Sequence, residues 1–123
     1  MRDFKNIKAY QFADSLVLAV YKATKVFPKE EIYGLTAQLR RAAVSVAANI
    51  VEGSSRQHQK DYLHFLYMAR GSAAEAGYLL SVVFRIGFLT IGEYEKLDEL
   101  AKQTARTLYG LISSIEKDIV KRP

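Results

Sequence analysis

The chain has 123 residues, no cysteine and a formal charge of +5, with half of its residues hydrophobic and a quarter charged. This composition suits one globular domain whose core needs no staples, and it excludes a disordered polyelectrolyte, a disulfide framework, a thiolate metal site and a cysteine nucleophile. Charges interrupt the stretch from Arg2 to Lys8, and no run approaches the roughly 18 apolar residues of a membrane span, so a soluble cytoplasmic protein without a membrane partner is expected.

The first predicted helix runs from about Lys8 to Lys25, with apolar or small residues recurring at Ala9, Ala13, Leu16, Val20 and Ala23, and it stops ahead of Pro28. Lys22, Lys25 and Lys29 lie near its carboxyl end, where the helix dipole favours cations. Gly34 and Thr36 open the second helix, which ends at the Glu52-Gly53-Ser54-Ser55 turn; glycine there tolerates a left-handed backbone, and a serine can cap the next helix. The third spans about Gln57 to Ile86 and stops at Gly87. Thr90 and Glu93 have the spacing of a capping box at the start of the fourth. Its stripe, Leu97, Ala101, Thr104, Leu108, Leu111, Ile115 and Ile119, steps by four and three, as in helices packed nearly antiparallel. Short links between such helices predict an all-α, up-and-down four-helix bundle, with fraying at the first residues and at Lys121-Arg122-Pro123.

Helix two carries a narrow polar stripe, Gln38, Arg41, Ser45, Asn49 and Glu52, with apolar residues on both sides. A face made for water is wider and more charged. The expectation is therefore an interior seam in which these residues meet Ser72, Glu75 and Asp61 of helix three, Arg41 pairing with Glu75 or Glu52 as a buried ion pair that fixes register. Between Tyr62 and Phe88 the full charges are Arg70, Glu75 and Arg85 alone, so helix three is apolar nearly all round. Leu63, Tyr67, Arg70, Ala74 and Tyr78 form the face expected to be covered by other copies in a homo-oligomer.

The small residues Ala69, Gly71, Ser72, Ala73, Ala74, Ala76 and Gly77 predict close helix contact; a phosphate loop at Gly71-Ser72 would need a preceding strand and a lysine signature, both absent. Catalytic readings find no support. One carboxylate-x-x-His step, Asp61 to His64, lacks the second copy that a di-iron bundle requires, and neither His58 nor His64 has the preceding arginine of a HEPN-type ribonuclease. No cofactor, metal or catalytic residue is expected, and both histidines read as surface residues.

Residues 1 to 62 hold ten Lys/Arg against six Asp/Glu, a bias toward an anionic partner. Lys22, Lys25, Lys29, Arg40, Arg56 and Lys60 are the candidate nucleic-acid contacts. Arg70, Ser81 and Arg85 among Tyr67 and Tyr78 suit base stacking or a subunit interface equally. A non-enzymatic scaffold binding RNA or DNA is the leading expectation, and a protein-protein adaptor without a nucleic-acid role is the second.

The segments Gln38 to Ser45, Ala48 to Gly53 and Phe65 to Glu75, with Phe27-Pro28, Gly34-Leu35 and Gly87-Phe88-Leu89, resemble the bacterial proteins encoded within intervening sequences of 23S ribosomal RNA genes. The resemblance implies an antiparallel four-helix bundle assembling into a ring-like homopentamer. It also implies a relation to the basic accessory proteins of diversity-generating retroelements, which contact nucleic acid and a reverse transcriptase. Gln38, Arg41, Ser45, Asn49, Glu52, Gly53, Gly71, Ser72 and Glu75 carry the family pattern, while Val46 and Val51 depart from its usual isoleucine and alanine.

Overall fold

Helical periodicity holds across the four segments that the sequence marks out. The computed structural model describes residues 2–121 and places helices at α1 (Lys8–Thr24), α2 (Leu35–Ser54), α3 (Gln59–Arg85) and α4 (Ile91–Lys121), with no strand among the described residues. Consecutive helices pack together and α1 closes on α4, so each helix borders two others and none crosses the diagonal among the described residues. Cross-contacts give the directions. Gly53 at the end of α2 lies against Tyr62 and Phe65 at the start of α3, while Ser45 meets Ser72 further along both. Tyr67 donates to Glu116, and Phe84 stacks on Tyr94 at 4.4 Å, which sets α3 against α4 in the same antiparallel sense.

The stripes read from the sequence face inward. Leu16, Val20, Leu39, Leu80, Val83 and Leu97 fill one end of the bundle, and Ala13, Val46, Ile50, Leu66, Leu108 and Ile112 fill the other. Each fully buried Leu or Ile contributes about 1.5–3 kcal/mol of transfer free energy. On α4, Ile112 is buried and Leu111 only partly so, a shift of one position from the predicted stripe.

Several chain ends behave differently from expectation. Ser54 and Ser55 donate back to the carbonyls of Val51 and Glu52, so neither caps α3, which begins after His58 without a side-chain cap. Gly53 is helical, and the one left-handed glycine among the described residues is Gly87 at φ 93°. There the Phe88 N–H reaches the Val83 carbonyl at 2.9 Å and the Gly87 N–H reaches Phe84 at 3.0 Å, the paired bonds of a Schellman ending. The N-terminal arm makes defined contacts from Arg2 onward: Phe4–Asn6 forms a short helical turn, and Arg2 lies 4.1 Å over the Tyr62 ring while donating to the Arg56 carbonyl and to Gln59. Met1, Arg122 and Pro123 fall outside the described residues, and Lys121 is helical.

The capping box at α4 forms as read, with Thr90 N–H donating to Glu93 Oε1 at 2.8 Å and Glu93 N–H to Thr90 Oγ1 at 3.2 Å. Hydrogen bonding from Thr90, its backbone N–H first, holds the Glu93 carboxyl below its ordinary pKa. A lowered folded-state value means that the cap's contribution is present above the unfolded-state pKa and is lost as pH falls through the folded one. Glu93→Gln, which keeps the cap geometry without a titrating proton, should therefore flatten part of the acid limb of a pH–melting curve; an unchanged limb would show that the cap does not titrate with folding.

Candidate nucleic-acid and subunit interfaces

The polar stripe of α2 lies on the outside of the protomer. Leu39, Ala42, Ala43, Val46, Ala47 and Ile50 take the core side, and the stripe is centred roughly 130° round the helix from them. Gln38, Arg41 and Glu52 are exposed, and Ser45 and Asn49 are half-buried. The interior ion pair of the sequence reading is thus corrected. Arg41 has no side-chain hydrogen bond or ion pair among the described residues, Asp61 and Glu75 are exposed, and Glu52 binds Arg56 instead, one turn away at 2.8 Å. What survives of the network is a short chain across the α2–α3 groove: Ser45 and Ser72 hydroxyls at 2.8 Å, with the Asn49 amide donating to the Ser45 carbonyl at 2.8 Å and to its hydroxyl at 3.1 Å. Neutral hydroxyls can sit in a half-wet groove, whereas a guanidinium has nothing to gain there without a carboxylate in reach.

The flanks explain why the stripe resembled an interior seam. Ala37, Val44, Ala48 and Val51 border its far side, and Val44 and Ala48 are exposed. On α3 the neighbouring surface consists of Met68, Gly71, Ala74, Glu75 and Tyr78, all exposed. This lateral face has few charges. The exposed side of α4, by contrast, carries Glu93, Glu95, Lys96, Glu99, Lys102, Arg106, Glu116, Lys117, Asp118 and Lys121.

The predicted oligomer face divides. Ala74 is exposed and Tyr78 is 64% exposed, but Leu63 packs against the core, and Tyr67 is tied to α4 through Glu116 with Arg70 lying over its ring at 4.9 Å. The hydrogen bond to Glu116 raises the Tyr67 pKa. Close packing accounts for buried Ala69 and Ala76, whereas a Cβ at Gly71 or Gly77 would meet no atom within 4 Å.

The predicted nucleic-acid contacts also divide, because α2 separates them by about 30 Å. Lys22, Lys25, Lys29 and Arg40 gather at the α1–α2 corner, while Arg56 and Lys60 lie at the opposite end, Arg56 engaged by Glu52 and stacked on Phe65 at 4.6 Å. Lys22 turns toward α4, lining a shallow groove with Ala19, Val26, Glu93, Lys96 and Leu97. The sequence reading missed a second groove at that corner, lined by Tyr21, Ile32, Tyr33, Ala37, Arg40, Arg41, Val44 and Ser45. Tyr33 lies in the connection between helices, where periodicity gives no face; an Ile32-Tyr33 pair directly after two acids was the available signal.

Neither histidine is buried, and no group of three or more His, Cys, Asp or Glu gathers as a metal site among the described residues. No helix there is long and apolar enough to cross a membrane.

Fold and surface together define a four-helix-bundle protein with a basic corner and a weakly charged flank. The family model of the 23S rRNA-intervening sequence protein matches residues 5–110, and the chain belongs to that family. It is similar to the crystal structure of a protein of unknown function from the S23 ribosomal protein family of Bacteroides thetaiotaomicron, with a TM-score of 0.79 and 22% identity over 85% of this chain and 95% of that one. At that identity the likeness speaks to fold alone. No curated protein matches the chain.

Proposed function

We propose that this chain is the subunit of a non-catalytic, homo-oligomeric helical scaffold that binds RNA or DNA through its α1–α2 corner. The observation that carries the reading is the charge there: Lys25, Lys29 and Arg41 are exposed, with Arg40 beside them and Lys22 round the helix toward α4, while the connecting segment adds only the acids Glu30 and Glu31. None of these five cations forms an ion pair among the described residues. Cations without an internal counter-charge are the groups that displace counterions from a phosphate backbone.

Self-association is supported by the lateral face, where Ala48, Met68, Ala74 and Tyr78 stand exposed with few charges between them. A head-to-tail contact between copies through this face would close into a ring; five subunits is the number the family resemblance carries. Oligomerisation would also multiply the basic corner and so strengthen binding by avidity. A partner protein, such as the reverse transcriptase of the related retroelement systems, would then meet the assembled scaffold.

Fluorescence anisotropy with generic RNA and DNA across a salt series tests the proposal. Binding at low salt that weakens steeply toward physiological salt, on a particle heavier than 13.9 kDa, is the expected result. Absence of binding at low salt would leave the adaptor reading, for which the apolar α1–α4 groove around Val26 and Leu97 is the candidate contact.

A further inference from the structure

Tyr33 is 96% exposed, the most exposed large apolar side chain among the described residues, although it lies between two helices that bury Phe27 and Leu39 close by. It lines the α1–α2 groove together with Ile32, Tyr21, Ala37 and Val44. Arg40 is already fixed: its Nε donates to Thr24 Oγ1 at 2.8 Å and its guanidinium lies 4.7 Å over the Tyr21 ring, so it is a rigid cationic wall and not a mobile charge. Arg41 also lines the groove and forms no ion pair among the described residues. Lys25 follows Tyr21 by one helical turn, and Lys29 opens the turn that leads to Tyr33. The two nearby acids are Glu30 and Glu31, the latter accepting the Leu35 N–H at 3.1 Å, and the cations outnumber them.

A lysine cluster alone would serve any polyanion. An exposed phenol ring flanked by aliphatic side chains and two guanidinium groups has a narrower use, because a duplex keeps its base faces stacked away from such a ring while a single strand presents them. We infer that this groove takes single-stranded nucleic acid, with a base stacked on Tyr33 and the adjoining phosphates held by Arg41 and Lys29. The inference rests on the nucleic-acid reading above and specifies its substrate class.

The test measures the anisotropy of a labelled oligothymidylate and a labelled oligouridylate of about 15 nucleotides, and of a duplex of matching length, against the full chain and its Tyr33→Ala, Tyr33→Phe and Arg41→Gln variants. Native mass is recorded for each. Tyr33→Ala should weaken single-strand binding roughly tenfold or more and leave duplex binding unchanged, and Tyr33→Phe, which keeps the ring face, should retain the affinity. Arg41→Gln should lower the slope of log affinity against log salt by about one. If single strand and duplex bind alike and Tyr33→Ala changes neither, the groove inference is overturned while the wider reading stands. Binding of no nucleic acid by the unaltered chain would remove both. A change in native mass on Tyr33→Ala, without loss of binding per subunit, would make the groove a contact between copies and overturn the inference equally.

Discussion

Replacing Gly53 by alanine is expected to destabilise the protein by about 1–3 kcal/mol, against the rule that Gly→Ala within a helix stabilises by up to ~1 kcal/mol. A Cβ at this position would stand 2.9 Å from the Phe65 Cβ, 3.0 Å from Tyr62 Cδ1 and 3.2 Å from the Tyr62 carbonyl oxygen. Two of those neighbours cannot swing aside, one being backbone and the other the first carbon of a side chain on the same helix, so relief requires α2 and α3 to separate. The strain would spread. Tyr62 lies under Arg2 and Phe65 under Arg56, and both guanidinium groups help seat the N-terminal arm and the α2–α3 turn. Gly71 is the control, since its Cβ would meet nothing within 4 Å and alanine there should raise or preserve the denaturation midpoint of the protomer. Equal midpoint shifts in the two variants would contradict the close-approach account.

Gly53 also marks what sequence pattern could and could not reveal. Its position at the end of α2 was legible, but its purpose was misread as turn geometry, because proximity to Tyr62 and Phe65 is a property of the packed pair and no spacing encodes it. The helices themselves, the Thr90–Glu93 cap and the Gly87 ending were legible because each depends on contacts within a few residues of chain. The polar stripe failed for a different reason. Periodicity placed Gln38, Arg41, Ser45, Asn49 and Glu52 on one sector correctly, yet an apolar flank such as Val44 and Ala48 looks the same whether it meets a neighbouring helix of its own chain or stands free on the surface. Charge content misleads here: a sparsely charged strip suggests an interior, and in the protomer it is a sparsely charged exterior. The basic residues were read one at a time, so the separation of Arg56 and Lys60 from the α1–α2 corner emerged only with the length of α2.

Ala48→Glu should reduce the native mass toward that of a single 13.9 kDa chain if the lateral face is the contact between copies. Ala48 is exposed on the α2 crest between Ser45 and Glu52, where a glutamate is harmless to the folded protomer, since the side chain can extend into water. Covered by a second copy, the same carboxylate would lose its hydration without gaining a cation, at about 3–5 kcal/mol for an uncompensated buried charge. At 1.4 kcal/mol per decade this weakens each contact on the order of a thousandfold, enough to take a micromolar assembly apart. Ala105→Glu on the charged outer side of α4 adds the same charge to an exposed alanine and should leave the mass unaltered. Light scattering on both variants, with thermal melts to confirm folding, separates the possibilities. Loss of assembly in Ala48→Glu alone supports contact through the α2–α3 flank, loss in Ala105→Glu alone moves the contact to α4, and a monomeric unaltered chain rejects the ring. The comparison has force because protomer stability and assembly make opposite demands on this strip: water tolerates any polar residue there, whereas a partner helix tolerates only what it can pack against or pair with.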